Sequence, residues 1–272
     1  MKILSGTRLL FATSMLWFVS ATQSCKKDSV TEHKISNNVA AENVEAVNLD
    51  SGLLCYLKFN HNLKDSSGHN NNGVPKNGTF TFVKDRFGNK ESAINFGTTH
   101  KYIEIPEKKF VGLTKATISI DFYAIQAIRE YLISKMSYDI PVGSPGFYQS
   151  FSFGIDIVNK MRLGFQTRQK NFCDAPPTNG WNPGLYADTA TIVLNKWNNV
   201  TVTFNNTVQK MYLNGKLVAS GTKTASPICA GEPIRLGVWW SQDPAYFTGN
   251  MDEVRIYNRP LTATEVKQLS KL

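Results

Sequence analysis

From Ser51 onward, hydrophobic and polar positions alternate in short runs. In Thr117–Ala124, Ile118, Ile120 and Phe122 fall on one face, and Thr117, Ser119 and Asp121 on the other. That is the period of two of a half-buried strand. Phe151–Ile157 and Val200–Phe204 repeat the alternation, and Leu53–Phe59 is a mostly apolar opening run. Met211–Val218 predicts a hairpin turning at Asn214-Gly215, a dipeptide suited to the left-handed positions of a tight turn. Pro233–Trp240 and Glu253–Tyr257 predict two further strands. At the end, Thr262 and Glu265 have capping-box spacing and precede Val266 and Leu269, which predicts a short terminal helix. Many short strands with no long amphipathic helix between them predict an all-β, two-sheet antiparallel sandwich.

The first fifty residues follow a different pattern. Lys2 and Arg8 flank the start of an apolar run, Leu9–Val19, which is too short to span a bilayer and reads as the core of an export signal. Ser24-Cys25-Lys26-Lys27-Asp28 resembles the cleavage region of Bacteroidetes-type lipoproteins, in which the Cys becomes the lipidated first residue. Thr22 stands where such signals usually carry Leu, and an ordinary secretory peptide cleaved near Ala21 is the other reading. The resemblance implies a signal over 1–24 and a cell-envelope, outer-membrane lipoprotein, periplasmic or surface-exposed, held to the membrane through Cys25. Lys26–Asp50 has no aromatic residue, Gly or Pro and is rich in Asn, Glu, Lys and Ser, so residues 25–50 read as a solvated tether. The remaining residues, 51–272, form one domain.

Export changes the charge balance. The chain of 272 residues carries a net charge of +9. Loss of Lys2 and Arg8 with the signal leaves 28 basic against 21 acidic residues, or +7. No basic run exceeds two residues (Lys26-Lys27, Lys108-Lys109), so the excess is dispersed and argues against a nucleic-acid partner. The four cysteines show no CxxC and the four histidines no HxH or HxxxH spacing, which argues against zinc. There is no Gly-x-Ser-x-Gly and no P-loop. No strand carries the alternating carboxylates that a glycosidase needs a few ångströms apart. Glu104 and Asp121 stand alone in strands, and Glu107, Glu130 and Glu232 are expected in loops. Asp252 and Glu253 are adjacent and are expected on opposite faces.

The order of motifs along the domain carries a resemblance. Tyr56–Asn60, Asn62–Gly68 and Asn70–Gly73 are followed by Asp85–Asn89, Ser92–Phe96 and Tyr102–Ile105. Trp197–Phe204 with Met211–Lys216, and then Gly249–Leu261, close the series. Together these resemble laminin-G-like, concanavalin-A-like jelly-roll domains over residues 51–272. The resemblance implies a jelly-roll sandwich with one concave sheet and, as for many such domains, binding of glycans, accessory work for secreted enzymes, or adhesion. It also implies Ca²⁺. Asp65 and Asp252 would supply charge, and Asn60 and Asn70 would add oxygens to a structural site tying the first turn to the last strand. Asp65 capping its own turn is the competing reading.

Sugars stack on flat aromatic faces while amides and carboxylates read their hydroxyls. The candidates are Trp181, Asn182 and Tyr186 in the long loop between Arg168 and Thr189, with Trp240 and Tyr246 near the polar loop that follows Trp239-Trp240. Of the two neighbouring indoles, one is expected in the core and one outside, and Trp197 is expected in the core. Cys55 reads as a buried thiol, and Cys173 and Cys229, both in loops near Pro, as a candidate disulfide. These features lead to the expectation of a non-catalytic, carbohydrate-binding envelope lipoprotein. A protein-binding adhesion module is the alternative, and a hydrolase with carboxylates drawn from distant strands is a third.

Overall fold

The computed structural model describes residues 47–140, 149–157, 161–167, 173, 183–187 and 192–272. Cys25, Trp181 and Asn182, together with the residues expected to form a signal and most of those expected to form a tether, lie outside the described residues. The described residues form fifteen strands and one helix: β1 (Leu53–Leu57), β2 (Val74–Lys76), β3 (Thr81–Val83), β4 (Ala93–Asn95), β5 (Tyr102–Ile105), β6 (Ala116–Ala124), β7 (Glu130–Met136) and β8 (Gln149–Asp156). The series continues with β9 (Arg162–Thr167), β10 (Leu185–Tyr186), β11 (Trp197–Phe204), β12 (Val208–Leu213), β13 (Lys216–Thr222), β14 (Ile234–Leu236), β15 (Gly249–Tyr257) and α1 (Ala263–Leu269).

They build two antiparallel sheets. The first runs β13-β12-β11-β6-β15-β4-β3, with β1 also pairing β15; the second runs β10-β9-β8-β7-β14-β5-β2. The alternation seen in the sequence decides the faces. Ile118, Ile120 and Phe122 of β6 and Phe151, Phe153 and Ile155 of β8 enter one shared core between the sheets. Cys55 is fully buried there as a free thiol, its pKa raised well above the usual range by burial and then by Asp65. The outer face of the first sheet is covered at one end by α1, where Val266 and Leu269 pack with Leu53, Tyr212, Tyr257 and Leu261. Thr262 caps that helix in a full capping box with Glu265.

Several local expectations change. The strand expected over Pro233–Trp240 ends at Leu236, because Gly237 has φ +82° and a Cβ there would stand 2.3 Å from the Phe96 ring. Trp197 is half-buried outside the core, edge-on to Tyr123 on the outer face of the first sheet. Neither Trp239 nor Trp240 is core; both are half-buried. Glu130 begins β7 rather than sitting in a loop, and it is fully buried. Asp252 and Glu253 do not face opposite ways. A β-bulge between Asp252 and Arg255 puts Glu253 at φ +52°. Its carboxylate then turns to the outer face, where it accepts from Tyr56 Oη at 2.7 Å and pairs with Arg255.

Cys173 and Cys229 form a disulfide. Its Cys229 end is anchored to the sandwich, since the Cys229 N–H donates to Ser150 Oγ at 2.8 Å.

Candidate functional site

Four residues in register cross four strands of the second sheet. Tyr131 of β7 stands opposite Gly154 of β8, Gly154 opposite Gly164 of β9, and Gly164 opposite Tyr186 of β10. The two glycines add no side chain of their own between the two aromatic residues. Each glycine has a steric cause. A Cβ on Gly154 would stand 2.3 Å from the Glu130 carbonyl oxygen, beside the irregularity in β7 between Tyr131 and Ile133. A Cβ on Gly164 would stand 3.1 Å from Tyr186 Cε1, so the Tyr186 ring rests against this strand.

These four residues line a cleft of about 250 Å³. On one flank the Tyr131 ring stacks on the Trp239 indole, with centroids 4.9 Å apart and planes 8° from parallel. On the other, Tyr186 carries the Arg162 guanidinium 3.9 Å from its centroid, and its hydroxyl accepts from Gln166 Nε2 at 3.2 Å. Burial, offset in part by Arg129, pushes the Tyr131 hydroxyl up to about 12, so it remains a neutral donor. The charges at the cleft are matched: Arg162 with Asp156 at 2.9 Å, and Arg129 with Asp243 at 2.5 Å. The cleft thus offers aromatic faces, an amide, hydroxyls and neutralised charge, a surface suited to a polar ligand with flat apolar patches.

The sequence-derived candidates fall into three places. Tyr186 lines this cleft. Tyr246 lines a neighbouring hollow and stacks on His100, with centroids 4.7 Å apart and planes at 15°. Trp240 stands edge-on to Trp239, and its Nε1 donates to the Ile140 carbonyl at 3.2 Å. Sequence reading missed Tyr131, Trp239 as the stacking indole, and the two glycines. The signal was present in Phe153-Gly154-Ile155 and Leu163-Gly164-Phe165, where a glycine interrupts each alternating strand on its polar face.

Among the calcium candidates, Asp65 is engaged by its own turn. The Asp65 carboxylate accepts from Tyr56 N, Ser67 N, Ser67 Oγ and Asn71 N at 2.8–2.9 Å. Burial raises this carboxyl, but those donors outweigh it and hold it below the usual carboxylate range. Asn60 and Asn70 are exposed. Asp252 is buried opposite Asp121, and burial, reinforced by Glu253, pushes its carboxyl up to about 9. Among the described residues no three His, Cys, Asp or Glu side chains group as a metal site. The four donors to Asp65 match the competing reading, in which this carboxylate caps its own turn.

The fold has relatives among solved structures. Domain 4 of AbnA, a GH43 extracellular arabinanase from Geobacillus stearothermophilus solved with arabinotriose, superposes with a TM-score of 0.58 at 22% identity, over 81% of this chain and 98% of that one. The binding domain of Paraclostridial Mosquitocidal Protein 1 gives 0.56 at 18% identity, over 82% of this chain. The binding domain of botulinum neurotoxin DC, solved with SialylT, gives 0.55 at 15% identity, again over 82%. The chain spans about half the length of these two toxin domains, 52% in each case. At these identities the likeness is one of fold. Comparison with curated protein sequences found no match. A family profile described as the concanavalin A-like lectin/glucanases superfamily matches residues 97–267, well over half of the chain, and the chain belongs to that family.

Proposed function

We propose that the protein is a non-catalytic carbohydrate-binding module of the cell envelope, anchored through lipid on Cys25, that takes a glycan into the cleft between Tyr131–Trp239 and Tyr186. One observation carries the reading: the stacked Tyr131–Trp239 pair and Tyr186 line one cleft, with only Gly154 and Gly164 between them in register. Such a slot lets a sugar ring stack while Gln166, Asp156 and the Tyr186 hydroxyl reach its hydroxyls. The arabinanase domain, solved with arabinotriose, lends the reading support from a neighbour of like fold. Binding without hydrolysis is favoured because Asp156 is the only carboxylate among the described residues lining the cleft, where a glycosidase needs a pair.

The test is affinity electrophoresis of the purified protein through gels containing neutral plant and microbial polysaccharides, with reducing-sugar release measured alongside. Retardation without sugar release is expected. Migration unchanged by every polysaccharide, or release of reducing ends, would overturn the reading. Radiolabelled palmitate should enter the wild-type chain and not Cys25→Ser; equal labelling would refute the anchor.

A further inference from the structure

We infer that the protein grips several consecutive units of a neutral oligosaccharide rather than a single sugar, using a second subsite built around His100, Gln126, Tyr246 and Thr248. This rests on the glycan-binding reading of the cleft and extends it.

The second subsite is a hollow of about 360 Å³ that shares Arg129 with the cleft. Its backbone continues the same row of positions. Tyr246 forms a parallel bridge with Tyr131, and the Tyr131 N–H donates to the Ala245 carbonyl at 3.0 Å. Tyr246, Tyr131, Gly154, Gly164 and Tyr186 therefore stand on successive neighbouring strands or segments. Four steps of about 4.8 Å give a row of roughly 19 Å, longer than one sugar ring. The row has an aromatic group at each end and a third between them: Tyr246 stacked on the exposed His100, Tyr131 stacked on Trp239, and Tyr186.

The polar side of the hollow is held in place from beneath. Gln126 Nε2 donates to Glu130 Oε1 at 2.8 Å, and the Thr248 N–H donates to the same oxygen at 3.0 Å. Glu130 is fully buried, so this oxygen is a fixed anchor. With its amide nitrogen committed, Gln126 presents its carbonyl oxygen as an acceptor suited to a sugar hydroxyl. The charge along the row points to a neutral ligand. Arg129 is paired with Asp243 and Arg162 with Asp156, so an acidic sugar meets no guanidinium here without a carboxylate beside it.

The experiment is isothermal titration with arabino-, xylo- and cello-oligosaccharide ladders from one to six units, and with oligogalacturonates as the acidic counterpart. For the ladder that binds, affinity is expected to rise about tenfold or more between the disaccharide and the tetrasaccharide and then level off. His100→Ala/Tyr246→Ala should keep disaccharide affinity and lose the gain with length. Trp239→Ala should lose affinity at every length, and the acidic ladder should bind at least about tenfold more weakly. A wild type that binds disaccharide and tetrasaccharide equally, or a double variant that keeps the gain with length, overturns the second subsite while leaving the cleft reading intact. Preference for the acidic ladder overturns the neutral assignment. Absence of binding on all ladders, with Trp239→Ala indistinguishable from wild type, removes the cleft reading and this inference with it.

Discussion

The rings of Tyr131 and Trp239 lie nearly parallel, 8° apart at 4.9 Å, although their residues are separated by more than a hundred positions in the chain. The Arg129 guanidinium sits 5.5 Å from the Trp239 ring and is tied to Asp243. This sandwich fixes one flank of the cleft as a rigid surface, so its loss should remove most of the ligand contact. Trp239→Ala is expected to weaken glycan binding by about 30-fold or more, the scale of a buried aromatic anchor near 2 kcal/mol. Circular dichroism should remain unchanged, because Trp239 is outside the shared core. Affinity within threefold of wild type would place the binding surface elsewhere.

The two floor glycines should respond differently to substitution. At Gly154 a Cβ meets backbone, the Glu130 carbonyl oxygen at 2.3 Å, which cannot move without shifting β7. Gly154→Ala is expected to cost about 1–3 kcal/mol of stability by overpacking. At Gly164 the nearest atom belongs to the Tyr186 ring at 3.1 Å, which can tilt away. Gly164→Ala should leave the urea midpoint near that of wild type while reducing glycan affinity. Equal destabilisation by both substitutions would contradict this difference.

These glycines also mark where sequence stops being informative. The strands and their faces were legible because one face of each is apolar: Ile118, Ile120 and Phe122 alternate for a core that demands it. The hairpin at Asn214-Gly215 and the Thr262 cap were legible because their backbone conformations select residue types, φ +50° and +75° at the turn and a capping box at the helix. The cleft was not, because its members are assembled by register. Nothing in a linear reading places Tyr131 opposite Gly154 or lays Trp239 on Tyr131. The facing of Glu253 was misread for a related reason. A single-residue bulge reverses the alternation, and no residue type announces it.

The Cys173–Cys229 disulfide closes a sequence separation of 56 residues. Cross-linking at that separation restricts the unfolded chain, with a typical contribution of about 2–4 kcal/mol. Cys173→Ser/Cys229→Ser should lower Tm by about 2–4 °C per kcal/mol lost. A melt by differential scanning calorimetry checks this. A Tm unchanged in the double variant and under reductant would show that the bridge does not form in the folded protein.

Calcium is expected to leave the melt of chelator-treated protein where it was. Asp65 already receives four protein donors, and Asp252 sits buried beside Asp121. A rise in Tm with millimolar Ca²⁺ that disappears in Asp65→Asn would restore the shared site and overturn this expectation.

Glu130 sets a direction for stability against pH. Burial, opposed in part by the bonds from Gln126 and Thr248, pushes its carboxyl from 4.5 up to about 7 in the folded chain. Between those values the native state holds a proton that the unfolded state has released. Linkage then requires this group's contribution to be full below about pH 4.5 and to fall as pH rises towards 7, with no further change above. In Glu130→Gln the side-chain oxygen can still accept from Gln126 and from the Thr248 N–H, but nothing titrates. The variant should therefore gain stability relative to wild type as pH rises, by about 1–3 kcal/mol between pH 4.5 and pH 8. Paired urea melts across that range measure the difference. A gap that stays constant, or that shrinks with rising pH, would show that the Glu130 carboxyl is not held protonated by its burial.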